Sequence, residues 1–378
     1  MKRTLILALL LLGLIACSSS GPGSPDPPPP PPSRPFLLGS SQWPPSFDAS
    51  QINRMFALKR AHMDLAVFHQ VAGVPWPQVD AGQPLPNRVL AEWRSVRSQA
   101  DPGQRFYLAL TPLNDARSGL ADLATEQTDH APLPPEWAAL PLNHPRVKAA
   151  YLAYCRIAIQ EFKPDFLAIG IECNMLASLD PTGWAQFLDL NHAVYAQLKQ
   201  EHPNLLIFVT IQYEYLQGFL TESQGKQALQ QQAVQEVMAS SDLLALSLYP
   251  YGPWVAPQVP ASYLDALWPL SAATGRPVAI AETGFPSKPF TAFGFTFQGS
   301  PALQDHYLAL LLDQAQTHRM AFLVNWVAVD YDKLSEQLPP DLQELLRVWQ
   351  YDGLWDSSDS PKAALTTWDA ALAKPYKP

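Results

Sequence analysis

The chain has 378 residues, with 25 lysines and arginines against 34 aspartates and glutamates, for a net charge of −9 at pH 7. No basic cluster follows the first three positions, so the positive footprint of a nucleic-acid binder is absent and neutral partners fit better. The three cysteines, Cys17, Cys155 and Cys173, form neither a disulfide framework nor a paired zinc motif. Cys155 and Cys173 are expected as buried free thiols, since sequence spacing carries no pairing geometry.

Met1-Lys2-Arg3 and the apolar run from Thr4 to Ile15 have the charged start and short greasy core of a secretory signal. The run stops short of the roughly 20 apolar residues a membrane span needs, so it reads as an export signal. Leu14-Ile15-Ala16-Cys17, followed by three serines, resembles the lipobox of bacterial lipoproteins. The resemblance implies a signal peptide at 1–16, acylation of Cys17 and attachment to a membrane through that lipid. Ser18 favours the outer over the inner membrane, placing the chain in the bacterial cell envelope on its periplasmic or extracellular face. Residues 17–35 are rich in Ser, Gly and Pro, with six consecutive prolines at 27–32, and read as a stiff spacer.

One large domain is expected over 36–378, since no second low-complexity break follows. Short β-rich apolar runs fall at 36–40, 64–69, 105–111, 166–172, 205–211, 243–249, 277–282 and 321–326. Segments of helical period lie between them at 48–61, 88–100, 145–162, 182–201, 225–239, 260–274 and 301–318, with a last helix near 339–349 or 362–373. Eight strand-helix units predict an α/β fold, the (β/α)8 TIM barrel. A doubly wound open sheet is the alternative, but no Gly-rich phosphate turn follows an early strand. The long connections follow strands, at 112–144 and 283–300, and so gather on the face where barrel active sites are built.

The fourth run, Phe166-Leu167-Ala168-Ile169-Gly170-Ile171-Glu172-Cys173-Asn174, ends a greasy strand on a carboxylate, and a period of two puts Gly170, Glu172 and Asn174 on one face. The seventh, Val278 to Glu282, repeats this, with Gly284 allowing a tight exit. The fourth and seventh strands of such a barrel oppose each other, so Glu172 and Glu282 would face across its mouth. Retaining glycoside hydrolysis needs that layout, with one carboxyl group donating a proton and another about 5–5.5 Å away attacking the anomeric carbon.

On these residues the chain resembles clan A of the glycoside hydrolases, most closely family 53, the endo-β-1,4-galactanases. Ala168 to Asn174 is similar to that family's strand-four segment, and Ala281-Glu282-Thr283-Gly284-Phe285-Pro286-Ser287 to its strand-seven segment. Ser247-Leu248-Tyr249-Pro250-Tyr251 is similar to its strand-six segment, and the strand-seven motif also to endo-β-1,3-glucanases. The resemblance implies Glu172 as general acid/base and Glu282 as nucleophile. It also implies that Tyr249 orients the nucleophile and that Trp326 forms an aromatic floor beneath the sugar. No cofactor or metal is implied, the partner is a poly- or oligosaccharide, and a monomer is expected.

Two departures stand out. The clan has Asn immediately before the acid/base, contacting the sugar 2-hydroxyl, and here that position is Ile171, with Asn174 two residues beyond Glu172 as a substitute. The clan often has an arginine on strand two, where this chain has Phe68-His69-Gln70, making His69 and Gln70 candidates for polar work at the mouth. Aromatic residues follow several strands, and flat rings stack on sugars. Trp43, Tyr213, Tyr251 and Trp254 are the candidates; Tyr215 also follows a strand, and Trp76 and Phe285 rank lower. Asp330 and Asp332 read as a solvated loop, having too few neighbouring oxygen ligands for calcium. The expected function is a retaining glycoside hydrolase acting on a β-linked polysaccharide, galactan-like or glucan-like. The alternatives are a carbohydrate-binding pseudoenzyme of the same fold and an envelope scaffold.

Overall fold

In the computed structural model, which describes residues 32–378, the eight apolar runs pair in parallel and close on themselves. The strands are β1 (Leu37–Ser40), β2 (Leu65–Gln70), β3 (Arg105–Leu110), β4 (Phe166–Ala168), β5 (Leu206–Gln212), β6 (Leu244–Leu248) and β7 (Val278–Thr283). After an antiparallel hairpin of β8 (Phe290–Ala292) and β9 (Phe295–Phe297), β10 (Phe322–Asn325) pairs with both β7 and β1 to complete the barrel. The fold is the (β/α)8 barrel, and the hairpin occupies the stretch that the sequence presented as plain loop. The signal peptide, Cys17 and the spacer up to residue 31 lie outside the described residues. No helix among the described residues is long and apolar enough to cross a membrane.

The pleat sorts side chains into two cores. Leu65, Val67, Tyr107 and Ala109 belong to the barrel interior, while Ala66, Phe68, Leu108 and Leu110 face the surrounding helices. Inside, the rings of Tyr107, Phe166, Phe208 and Phe322 meet at centroid distances of 5.0–6.0 Å. The facing strands β6 and β7 contribute only Ala245, Ala279 and Ala281 at this level, so large residues on one side fill the space that small ones leave. Pro145, Pro181 and Pro301 stand in the first turns of the three longest helices, where a missing N–H has no helical acceptor to lose.

Four sequence expectations change. The domain begins before residue 36, because Arg34 is buried, pairs with Asp64 and exchanges backbone hydrogen bonds with Pro375 and Lys377. β4 ends at Ala168, four residues early, with consequences for the site. Asp330 is not solvated: it is fully buried and paired with Lys362 Nζ at 2.6 Å. Gly284 is needed for a close approach rather than a turn, since a Cβ there would stand 2.1 Å from Asp352 Oδ2 and 2.8 Å from Asp352 Cβ. Cys155 and Cys173 are buried free thiols.

Asp352 is itself fully buried and has nowhere to retreat. Gly284→Ala is therefore expected to destabilise the domain by about 1–3 kcal/mol, as overpacked cores do. Urea unfolding measures this, and an unchanged midpoint would contradict it.

Candidate active site

The two glutamates reach the mouth because both strands break their period of two. Along β7, Leu246 pairs with Ile280 but Ser247 pairs with Glu282, so Ala281 is an extra residue on the β7 side. Ala279 and Ala281 face the barrel interior, and strict alternation would send Glu282 out with Ile280 toward the helices. The irregularity turns it inward instead, where its Oε2 accepts from Tyr249 Oη at 3.2 Å and its Oε1 lies 3.2 Å from His69 Nδ1.

On β4 the chain leaves regular pairing after Ala168. A Cβ on Gly170 would meet Phe187 on the helix side, while Ile171 points into the barrel core. Glu172 follows with φ 49, the left-handed region that costs a non-glycine residue about 1 kcal/mol or more. Its N–H donates to Thr210 Oγ1 at 2.8 Å, which pins the turn to β5. The Glu172 carboxylate accepts from Arg117 Nη2 at 3.0 Å. Arg117 lies in the loop after β3, held by the carbonyls of Asn114 and Asp115. The cation beside Glu172 is thus supplied by the loop after β3 and not by β2.

The acids differ in environment. Burial pushes the Glu172 carboxyl above the usual range, the Arg117 cation pulls it back, and the Glu282 charge pushes it further up. A third carboxyl, Glu214, was not singled out in the sequence. It lies just past β5, 1% exposed, and accepts from Gln212 Nε2 at 2.7 Å, Tyr249 N at 2.8 Å and Tyr263 Oη at 2.9 Å. Burial raises it to about 7 despite these donors, with the Glu172 charge adding to the rise.

The remaining predicted residues divide. His69 is at the mouth, its ring edge-on to Tyr107 and Trp326. Tyr249 and Trp326 are half-buried there, with Trp349 between them at 5.9 Å and 6.3 Å. Trp43 packs beside Trp326 and Trp349 and tilts against Tyr331 at 5.8 Å. Trp254 is 37% exposed and lies over Gly252.

Four candidates are placed elsewhere. Gln70 follows the pleat outward, toward Tyr154 in the helix layer. Asn174 is fully buried and spends its amide on Gln212 and Gln230, so it is no substitute for an amide at Ile171. Tyr213 is buried with its hydroxyl on the Tyr263 carbonyl. Tyr251 is buried against Phe285, Phe290 and Phe297, with its hydroxyl on the Val348 carbonyl.

Trp349 was missed because 339–349 has helical period; in fact a helix, Pro340–Leu346, gives way to a tight turn that carries it. Five buried nitrogens here have no hydrogen-bond partner within the protein: Nδ1 and Nε2 of His69, Arg117 Nε, Trp43 Nε1 and Trp349 Nε1. Among the described residues no group of three or more His, Cys, Asp or Glu side chains is arranged for a metal ion. A concavity of about 840 Å³ is at the opposite end of the barrel, where Arg105 and Arg156 are already paired with Asp165 and Glu201. That end of a barrel serves stability, and the concavity contains none of the convergent acids.

No protein-family model matches the chain, and no curated protein does. Solved structures share its fold. The exo-β-1,4-mannosidase Op5Man5 from Opitutaceae bacterium strain TAV5 aligns over 90% of this chain with a TM-score of 0.60 and 18% identity; the match spans 59% of the mannosidase. A GH5_18 protein from Bifidobacterium longum subsp. longum in complex with Manβ1-4GlcNAc aligns over 91% of this chain and 80% of its own, with a TM-score of 0.62 and 14% identity. A fungal β-1,4-galactanase aligns over 84% of this chain and 90% of its own, with a TM-score of 0.54 and 16% identity. Identities this low show a common barrel architecture.

Glu214 makes stability depend on pH. Its carboxyl is raised from 4.5 to about 7, so its contribution is fully present below pH 4.5 and is lost as pH rises through 7. The difference in unfolding free energy between wild type and Glu214→Gln should therefore change by on the order of 3 kcal/mol between pH 4 and pH 8, the wild type losing more. Chemical denaturation across that range tests this, and a pH-independent difference would contradict it.

Proposed function

We propose that this chain is a retaining glycoside hydrolase acting on a β-linked glycan, with Glu172 as general acid/base and Glu282 as nucleophile. The observation that carries this reading is the convergence of the two glutamates, from β4 and β7, on one aromatic-lined mouth in unlike environments. Unlike environments are what divide labour between two carboxyl groups.

Glu282 attacks the anomeric carbon and forms a glycosyl ester as Glu172 passes its proton to the departing oxygen. Tyr249 donates to one oxygen of Glu282, which holds the other toward the sugar. Glu172, now ionised beside Arg117, takes a proton from water, and the resulting hydroxide attacks the same carbon and releases Glu282. Burial favours the protonated acid needed in the first step, and Arg117 the carboxylate needed in the second. The half-buried Trp43, Trp326 and Trp349 and the exposed Trp254 offer rings for stacking on a sugar.

β-1,4-Linked galactan and mannan and β-1,3-glucan are the polymers to try, the first and third from the sequence resemblance and the second from the solved neighbours. The N-terminal sequence supports export, acylation at Cys17 and display from the cell envelope on the proline-rich spacer. One observation favours the non-catalytic alternative: Ile171 is packed into the barrel core and Asn174 is used elsewhere, so neither supplies an amide beside Glu172.

Reducing-sugar release from these polymers is the test. Hydrolysis of at least one is expected, falling about 10²–10⁴-fold in Glu172→Gln and also lost in Glu282→Gln. Glycan binding without release by the wild type would instead support the non-catalytic reading.

A further inference from the structure

Behind the mouth, the segments that carry the two glutamates are joined by one buried chain of hydrogen bonds. Asn174, two residues past Glu172, accepts from Gln212 N at 2.7 Å and is held by Gln230 Oε1 at 2.7 Å. The Gln212 side chain takes the Tyr215 N–H on its oxygen and gives its own N–H to Glu214 Oε2. Glu214 Oε1 accepts from the backbone of Tyr249, and the Tyr249 hydroxyl donates to Glu282. Glu214 is thus the link between the post-Glu172 segment and the residue that holds Glu282. It is also the only carboxyl group in that connection.

We propose that Glu214 is a positioning residue of the two-glutamate site: a buried carboxylate that fixes Tyr249, and through it Glu282, and ties both to the segment carrying Glu172. This rests on the hydrolase reading for its functional meaning, but the mechanical coupling does not depend on turnover. Three donors converge on its two oxygens, which keeps the buried acid ionisable without undoing the rise that burial imposes. The titratable groups facing it are Glu172 from the β4 exit, Tyr213 beside it, Tyr263 from the 261–264 turn, Tyr251 after β6 and Tyr307 from the Pro301–Thr317 helix. None is a cation, so hydrogen bonds alone oppose its desolvation. An amide at this position would turn a donor toward the Gln212 donor and break the chain at that link.

The test reads the site without requiring turnover. Glutamate carboxyl carbons and tyrosine backbone nitrogens are labelled, and the full domain is titrated by NMR as wild type and as Glu214→Gln. In the wild type the Tyr249 amide should show an inflection at the midpoint of the Glu214 carboxyl. In the variant, the Glu282 carboxyl carbon resonance should move from its wild-type position at the same pH. A Tyr249 amide blind to Glu214, or an unmoved Glu282 in a folded variant, overturns the proposal even if the chain is an active hydrolase. If the variant does not fold, the wild-type inflection decides alone. If hydrolysis is established, kcat in Glu214→Gln should fall about 10- to 100-fold with KM little changed, as misplacement of a catalytic group predicts. Absence of hydrolysis together with the NMR coupling would count against the hydrolase reading only.

Discussion

Holding carboxylates out of water at one end of a barrel is the constraint on which the rest of this structure depends. Glu172, Glu214 and Glu282 are drawn together where little solvent reaches, and a buried charge is costly unless donors meet it. Each is met differently. Glu172 has a guanidinium, Glu282 has a phenol and a nearby imidazole, and Glu214 has three neutral donors. Those partners come from β2, the loop after β3, the ends of β5 and β6 and the 261–264 turn, so the acids can converge only when most of the barrel is closed.

The convergence also depends on departures from regular strand geometry. A perfectly pleated β7 would direct Glu282 into the helix layer, and a β4 continuing to residue 172 would leave no left-handed turn at Glu172. The irregular pairing at Ser247 and the Thr210 hydroxyl are therefore as much part of the site as the acids they aim. Strain retained at such positions is characteristic of functional sites, since surrounding contacts must sustain it.

These same departures mark where sequence reasoning stops. The alternation of apolar runs made the barrel and the opposed fourth and seventh strands legible, and the short segment at 247–251 pointed to the contact between Tyr249 and Glu282. Asn174 was misread because its placement assumed that the period of two continued past Ala168. Gln70 was misread although the pleat of β2 can turn only one of His69 and Gln70 inward. Arg117 and Trp349 come from long connections, whose paths hydrophobic periodicity does not encode. Glu214 lies between two tyrosines on a short helical turn, and its importance comes from partners on other elements, far away in sequence. Asp330 was taken for a solvated residue because its partner Lys362 is 32 positions away.

In the proposed mechanism Glu282 becomes covalently attached to the sugar. Activated 2-deoxy-2-fluoro β-glycosides of galactose, mannose and glucose form such esters quickly and lose them slowly, so intact mass spectrometry followed by peptide mapping reads that attachment directly. The mass gain of one fluoroglycosyl group is expected from at least one of these reagents, mapped to Glu282 and abolished in Glu282→Gln. A label on any other residue, or none from any of the three while the glycan still binds, would contradict the mechanism.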